Sequence, residues 1–90
     1  TILGSNVKTG SLVHIAHNVK VGEGTFLAAR SGVSGSSIIG KHCFIGAGAM
    51  IKDGLNIGDR AKVGLLSAVV NHVSKDTQVA GNPAREITKK

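Results

Sequence analysis

Hydrophobic residues recur at every sixth position of the chain from Leu3 to Val69. Eleven of these twelve positions hold Ile, Leu or Val, whereas an even spread of the chain's 24 such residues over six phases would put four there. Glycine follows in seven of the twelve units, and the fifth place is small or β-branched in all but one. A period of six fits neither an amphipathic helix nor an alternating strand. The pattern therefore predicts six-residue units, each a short strand plus a corner, with places one and five pointing inward.

The fourth place of the unit predicts a tight turn. Seven of its twelve members are Asn, Gly or His, the residue types that best tolerate positive φ: Asn6, Asn18, Gly24, His42, Gly48, Gly54 and His72. No insertion interrupts the count up to Ser74. We therefore expect stacked coils spaced by about 4.8 Å, each completing the core of the next. The expected division is β-helix coils over residues 1–74 and a C-terminal tail or cap over residues 75–90.

The uninterrupted pattern [Leu/Ile/Val]-Gly-x-x-small-x resembles the hexapeptide-repeat acyltransferases. This resemblance implies an all-β fold, a left-handed parallel β-helix with three units per coil, and hence about four 18-residue coils (3–20, 21–38, 39–56 and 57–74). It also implies a homotrimer. The segment 79–85, Val-Ala-Gly-Asn-Pro-Ala-Arg, is similar to the tail of sugar acetyltransferases in the family. We expect this tail to leave the helix and close its last coil.

The amino-acid composition limits the classes of binding partner that we expect. The net charge of +6, from eleven Lys and Arg against five Asp and Glu, favours anionic small molecules or an acidic acyl carrier protein. Nucleic acid is disfavoured because no recognition motif is present and two Phe are too few for base stacking. A single Cys excludes an internal disulfide, no signal peptide is apparent, and no apolar run approaches the roughly 20 residues of a membrane span. We expect a cytoplasmic protein, and the start at Thr1 suggests a fragment or a trimmed chain.

Outward-facing apolar residues predict an interface. The sixth place faces outward, and Phe26 and Phe44 occupy it eighteen residues apart, one above the other. Met50 and Ile38 share the same place in other units. Because a solenoid cannot bury these groups within itself, we expect them to form subunit contacts.

The candidate chemistry lies in the segment Val13-His14-Ile15-Ala16-His17-Asn18. It resembles the general-base segment of the lipid A UDP-3-O-acylglucosamine N-acyltransferases and, more loosely, that of nucleotide-sugar N-acetyltransferases. By matching position, the resemblance implies that His17 is the catalytic base and His14 its companion. An imidazole, with a reference pKa of about 6.5, accepts a proton from an attacking amine near neutral pH. Asn18 stands where many sugar acetyltransferases have an acid, so it either supports the ring or only serves the turn.

The eighteen-residue step places Gly35 directly beyond His17. Acyl transfer builds negative charge on the thioester oxygen, which a backbone N–H can stabilise, and a glycine leaves room for the approach. Members of the resembled family use a matching Gly amide in this way. Positions matching their coenzyme A contacts are Phe26, which replaces a frequent His, together with Gly35, Ala47 and Leu65. The alternative is a surface His beside a glycine that only serves the corner.

Three functions stay open. The first is an acetyl-CoA-dependent N-acetyltransferase that acts on a nucleotide-linked amino sugar, as the tail suggests. The second is a lipid A type N-acyltransferase that uses acyl carrier protein, and the third is a non-catalytic trimeric fragment. Both enzymes would transfer the acyl group directly, since no activated Ser or Cys is apparent and Cys43 occupies an inward place typical of core residues. Neither enzyme is expected to require a metal. A zinc-binding carbonic anhydrase of the same fold is disfavoured, because its paired histidines are five residues apart and the close pair here is three apart.

Overall fold

The computed structural model describes residues 1–87, and this part of the chain contains strands and no helix. Each of the first twelve strands joins the sixth place of one unit to the first place of the next. They are β1 (Ile2–Leu3), β2 (Lys8–Thr9), β3 (His14–Ile15), β4 (Lys20–Val21), β5 (Phe26–Leu27), β6 (Gly32–Val33), β7 (Ile38–Ile39), β8 (Phe44–Ile45), β9 (Met50–Ile51), β10 (Asn56–Ile57), β11 (Lys62–Val63) and β12 (Ala68–Val69). Two longer strands follow, β13 (Gln78–Gly81) and β14 (Ala84–Glu86).

The strands form three sheets, parallel except for β14, which are the faces of a left-handed β-helix as the resemblance implied. Face one has the order β1-β4-β7-β10, face two has β2-β5-β8-β11-β13-β14, and face three has β3-β6-β9-β12. Partners among β1 to β12 are eighteen residues apart, as in Phe26 opposite Phe44. We call the turns from face one to two corner one, those from face two to three corner two, and those from face three to one corner three. Corner three contains residues 16–19, 34–37 and 52–55.

The core fills the inside of the prism as the six-residue pattern predicts. Every first-place and fifth-place residue from Val19 to Val69 is buried, whereas Leu3 in the first coil is 49% exposed. Buried hydroxyls in the fifth place bridge successive coils: Thr25 Oγ1 donates to the Gly40 carbonyl at 2.7 Å and accepts from the Cys43 N–H at 3.1 Å. Cys43 belongs to this core, and burial raises the pKa of its thiol.

The fourth place adopts the left-handed conformation in eleven of its twelve members, so the turn prediction is confirmed in general and for His42. It is wrong for His72, which lies outside the positive-φ set; its Nδ1 instead accepts from the Asn56 N–H at 2.9 Å. The cause is a change of register near residue 70. Val73 bridges Ile57 and Val79 pairs with Val63, so the last step is sixteen residues and not eighteen.

The register change also moves the C-terminal boundary. Parallel stacking continues beyond residue 74 because β13 lies on β11, and Asp76 takes over the left-handed turn with a φ of 58°. After the cis Asn82–Pro83 peptide, β14 returns antiparallel to β13. The expected coil 57–74 is thus two residues shorter than predicted, and the segment that leaves the coils begins after Gly81 rather than at residue 75.

The outward apolar residues do not form one patch. Phe26 and Phe44 stack on face two with ring centroids 5.6 Å apart and are 37% and 43% exposed. Ile38 lies on face one and Met50 on face three, so the four outward apolar side chains are distributed over all three faces. Their positions differ in phase within the eighteen-residue coil, and each phase belongs to a different sheet. Within the described residues, no helix is long and apolar enough to cross a bilayer.

Candidate functional site

His17 and Gly35 meet at corner three. Both occupy the third place of their units, and the His17 side chain is exposed. A Cβ placed on Gly35 would lie 3.1 Å from both Cε1 and Nε2 of the imidazole, closer than the 3.5–4.0 Å of an ordinary carbon contact. The ring therefore lies against the space that any other residue at 35 would fill with a side chain. The predicted stacking of these two residues is confirmed, while their catalytic roles stay predictions.

The amide of Gly35 is free to bind a ligand. The backbone around it is otherwise engaged: the Ser36 N–H donates to the His17 carbonyl and the Gly54 N–H donates to the Gly35 carbonyl, both at 3.0 Å. Within residues 1–87 the Gly35 N–H has no acceptor. Most third-place N–H groups have no acceptor within the described residues. Gly35, however, is the one glycine among the twelve third-place residues. This amide is consequently both unpaired and open to close approach.

Asn18 contacts the other nitrogen of the imidazole. Its Nδ2 lies 3.3 Å from His17 Nδ1. An amide NH₂ only donates, so this orientation leaves the neutral ring with its proton on Nε2. Rotating the amide by 180° would place Oδ1 there as an acceptor from Nδ1–H, which frees the Nε2 lone pair. The two orientations differ only in which amide atom faces the ring.

His14 is not a direct partner of His17. It lies on β3 of face three, and within the described residues no hydrogen bond joins the two imidazoles. The Met50 side chain covers the neighbouring Gly32, where an added Cβ would lie 2.5 Å from its sulfur. The predicted role of His14 as a companion of His17 therefore stays a prediction, and no hydrogen bond within the described residues supports it.

The remaining predicted contact residues lie elsewhere on the prism. Phe26 is on face two, and Ala47 and Leu65 are exposed third-place residues of corner two. The eighteen-residue step predicted that Ala47 and Leu65 share a ladder, and their positions follow it. Gly35 lies on a different corner. One chain therefore does not gather Gly35, Ala47 and Leu65 into one site.

Sequence reasoning missed a polar cluster at corner one. Arg60 Nε donates to Asp76 Oδ1 at 2.6 Å, and this hydrogen bond lowers the pKa of the Asp76 carboxyl. An open cavity of about 630 Å³ lies beside the pair, between the coils and β14, with His42, Lys62 and Glu86 in its lining. None of its lining residues belongs to corner three. The cluster depends on the sixteen-residue step, which the six-residue sequence pattern does not predict. Residues 1–87 contain no group of three or more His, Cys, Asp or Glu side chains arranged to hold a metal ion.

Comparison with known proteins places these repeats in a family. The model of the bacterial transferase hexapeptide (six repeats) matches residues 1–35, and that of the hexapeptide repeat of succinyl-transferase matches residues 37–64. A UDP-3-O-acylglucosamine N-acyltransferase from Caulobacter sp. (strain K31) is 38% identical over 87 residues, which are 97% of this chain and 26% of the relative. The chain thus spans about a quarter of that relative's length.

Solved structures agree on the fold. Soybean serine acetyltransferase, in its apoenzyme form, superposes with a TM-score of 0.91 at 28% identity, covering 96% of this chain and 40% of that one. Serine acetyltransferase from Brucella abortus strain S19, solved in complex with coenzyme A, superposes with a TM-score of 0.91 at 25% identity, covering 96% and 38%. With the repeats, the three-faced coil and these matches in agreement, the chain belongs to the hexapeptide-repeat family of bacterial transferases.

Proposed function

We propose that this chain is the acyl-transfer region of an N-acyltransferase, which moves an acyl group from a thioester to the amino group of a nucleotide-linked sugar. The observation that carries the proposal is the His17 imidazole lying against Gly35, whose amide is free. The curated relative supports the acceptor class, because its name specifies N-acylation of UDP-3-O-acylglucosamine. The sequence ranked acetyl transfer first, and the relative favours the acyl alternative.

The reaction follows from the positions of the two groups. The thioester carbonyl oxygen accepts from the Gly35 N–H, which stabilises the negative charge that develops there. The sugar amine attacks the carbonyl carbon, so that a C–N bond forms and the C–S bond breaks. His17 Nε2 takes the proton of the amine and passes it to the departing thiolate. The proposed transfer uses no acyl-enzyme, and the single thiol of the chain, Cys43, is buried, which raises its pKa.

A base at Nε2 requires its lone pair to be free. That state needs the proton on Nδ1, with an acceptor beside it. Asn18 supplies this acceptor once its amide turns Oδ1 toward the ring, over the 3.3 Å that now separates Nδ2 from Nδ1. In the proposed reaction, the side chain of Asn18 therefore sets the tautomer of His17.

The donor is proposed to be an acyl carrier protein thioester. The relative is an acyltransferase of an already acylated sugar, and the chain's charge of +6 suits an acidic carrier. Acetyl-CoA is the second candidate, because a structural neighbour at 25% identity was solved with coenzyme A. Assays with each donor separate the two: acylation of the sugar amine from the carrier supports the first, and turnover with acetyl-CoA alone supports the second.

The proposed active form is a homotrimer. Gly35 on corner three is separated from Ala47 and Leu65 on corner two, so a donor that contacts all three must lie between two copies of the chain. The stacked Phe26 and Phe44, which one chain leaves exposed on face two, are proposed as subunit contacts. Such contacts remove from water an apolar pair that the solenoid itself cannot cover.

His17→Ala tests the proposed base. Loss of a general base lowers kcat by about 10²–10⁴, while stability should change little because the side chain is exposed. His42→Ala is the matched control: this imidazole also packs against a glycine, Gly24, but at corner one. Retained activity in His17→Ala, or an equal loss in His42→Ala, would contradict the assignment.

A further inference from the structure

The unit of corner three that contains Gly35 differs from the units of corner one in where its glycine lies. At corner one the second place is Gly in all four units, and the third place always carries a side chain. In the unit of corner three that contains the free amide, the second place is Ser34 and the third is Gly35. The third-place amide can therefore be compared in two settings, after a glycine at corner one and after a serine at corner three.

Corner one shows what happens to a third-place amide when a glycine precedes it. The Lys41 N–H donates to Asp59 Oδ1 at 2.9 Å, and Asp59 is the third-place residue of the next coil. The carboxylate reaches this amide through the space above Gly40, since a Cβ added to Gly40 would collide with Asp59 Oδ1. A second-place glycine thus allows an acidic side chain of the next coil to accept a hydrogen bond from the third-place amide.

Corner three contains the same acid in the same register. Asp53 follows Gly35 by eighteen residues, as Asp59 follows Lys41. Yet within residues 1–87 no hydrogen bond joins the Asp53 carboxylate to the Gly35 N–H. At this level the two corners differ in two places: the second is Ser34 instead of Gly40, and the third is Gly35 instead of Lys41. The second place is the one beside the path of the Asp59 carboxylate at corner one. A Cβ added at Gly40 would collide with Asp59 Oδ1, and Ser34 carries a Cβ at the equivalent place of its unit.

We propose that Ser34 is a positioning residue that keeps the Gly35 amide open by excluding the carboxylate of Asp53. The inference rests on the proposed function, in which this amide receives the thioester oxygen. A carboxylate bound there would occupy the one donor and would repel the negative charge that develops during transfer. Asp53 would then act as an internal competitor of the substrate, and the side chain at position 34 decides whether it can reach the amide.

Three variants test this inference. Ser34→Gly opens the path, so its crystal structure should show an Asp53 oxygen within about 3 Å of the Gly35 nitrogen. Its kcat/KM should fall at least tenfold, since removal of one oxyanion donor costs about 10²–10³. Ser34→Ala keeps the Cβ and should behave as the parent protein. Adding Asp53→Ala to Ser34→Gly should restore activity, which separates the carboxylate from the extra backbone freedom of glycine.

The crystal structures decide the inference independently of the proposed function. If the protein transfers no acyl group, the position of Asp53 in Ser34→Gly still shows whether Ser34 holds it away. An Asp53 carboxylate that stays away from the Gly35 nitrogen in Ser34→Gly would overturn the inference. So would a loss in Ser34→Ala equal to that in Ser34→Gly, or a double variant that stays as slow as Ser34→Gly.

Discussion

We expect Gly35→Ala to lower the acyl-transfer activity of the protein while leaving its stability nearly unchanged. Gly35 lies outside the positive-φ region, so alanine can adopt its backbone conformation. Such a replacement stabilises a protein by about 0.4–1 kcal/mol through the unfolded chain. Against this gain, the new Cβ would lie 3.1 Å from Cε1 and Nε2 of His17. The ring must retreat by roughly half an ångström to restore a normal contact, and its exposure allows it to do so. We expect the free energy of unfolding to change by less than about 1 kcal/mol.

Activity should respond much more strongly to the same change. The methyl group narrows the approach to the Gly35 amide and displaces the proposed base, His17, and a misplacement near 1 Å can cost about 10²-fold. We expect kcat/KM to fall about 10- to 100-fold, which corresponds to roughly 1.4–2.7 kcal/mol of transition-state stabilisation. Steady-state kinetics of sugar N-acylation measure the loss, and urea unfolding measures the stability.

Gly54→Ala is the matched control on the next coil of the same corner. Its Cβ would meet no atom within 4 Å, but its φ of +70° is unfavourable for alanine. It should lose about 1–2 kcal/mol of stability and keep its activity. A fully active Gly35→Ala would contradict the proposed role of the Gly35 amide, and so would a loss of activity in Gly54→Ala equal to that in Gly35→Ala.

Three further predictions follow from the same contacts. Asn18→Asp should raise kcat a few-fold in the N-acylation assay, because a carboxylate only accepts and so holds the proton on His17 Nδ1; a lower kcat would contradict the tautomer assignment. Phe44→Glu should dissociate the proposed trimer in sedimentation experiments, whereas Asn56→Glu on face one should not; an intact Phe44→Glu trimer would exclude face two as the interface. Burial raises the pKa of the Cys43 thiol, so at pH 8.5 its thiolate fraction should be smaller than that of a free thiol; labelling should be slow until urea unfolds the protein, and fast labelling of the native protein would contradict its place in the core.

The coils were predictable because one geometric period sets both burial and turns. Inward positions must be apolar or small at every level, so the six-residue pattern survives in the composition of each unit. The stacking of His17 and Gly35 followed from the same step. Leu12 and Leu66 show where residue type fails: both adopt positive φ although leucine rarely does. There the requirement of the stacked corner overrides the local preference.

The register change near residue 70 could not be read from the pattern. Val73 fits the predicted register as an inward fifth-place residue and the observed register as an inward first-place residue, and it is buried in either case. Hydrophobicity therefore does not distinguish the two. The orientation of the Asn18 amide and the open state of the Gly35 N–H were also beyond the sequence. They depend on individual hydrogen bonds, which no period encodes.

The most direct test of the proposed acyl-transfer site is a structure of the assembled protein with an unreactive thioester analogue of the donor. The analogue's carbonyl oxygen should lie about 2.7–3.1 Å from the Gly35 nitrogen, on the side of that residue where the His17 imidazole lies. A donor bound with its carbonyl on another corner, or pointing away from the Gly35 amide, would contradict the proposed site.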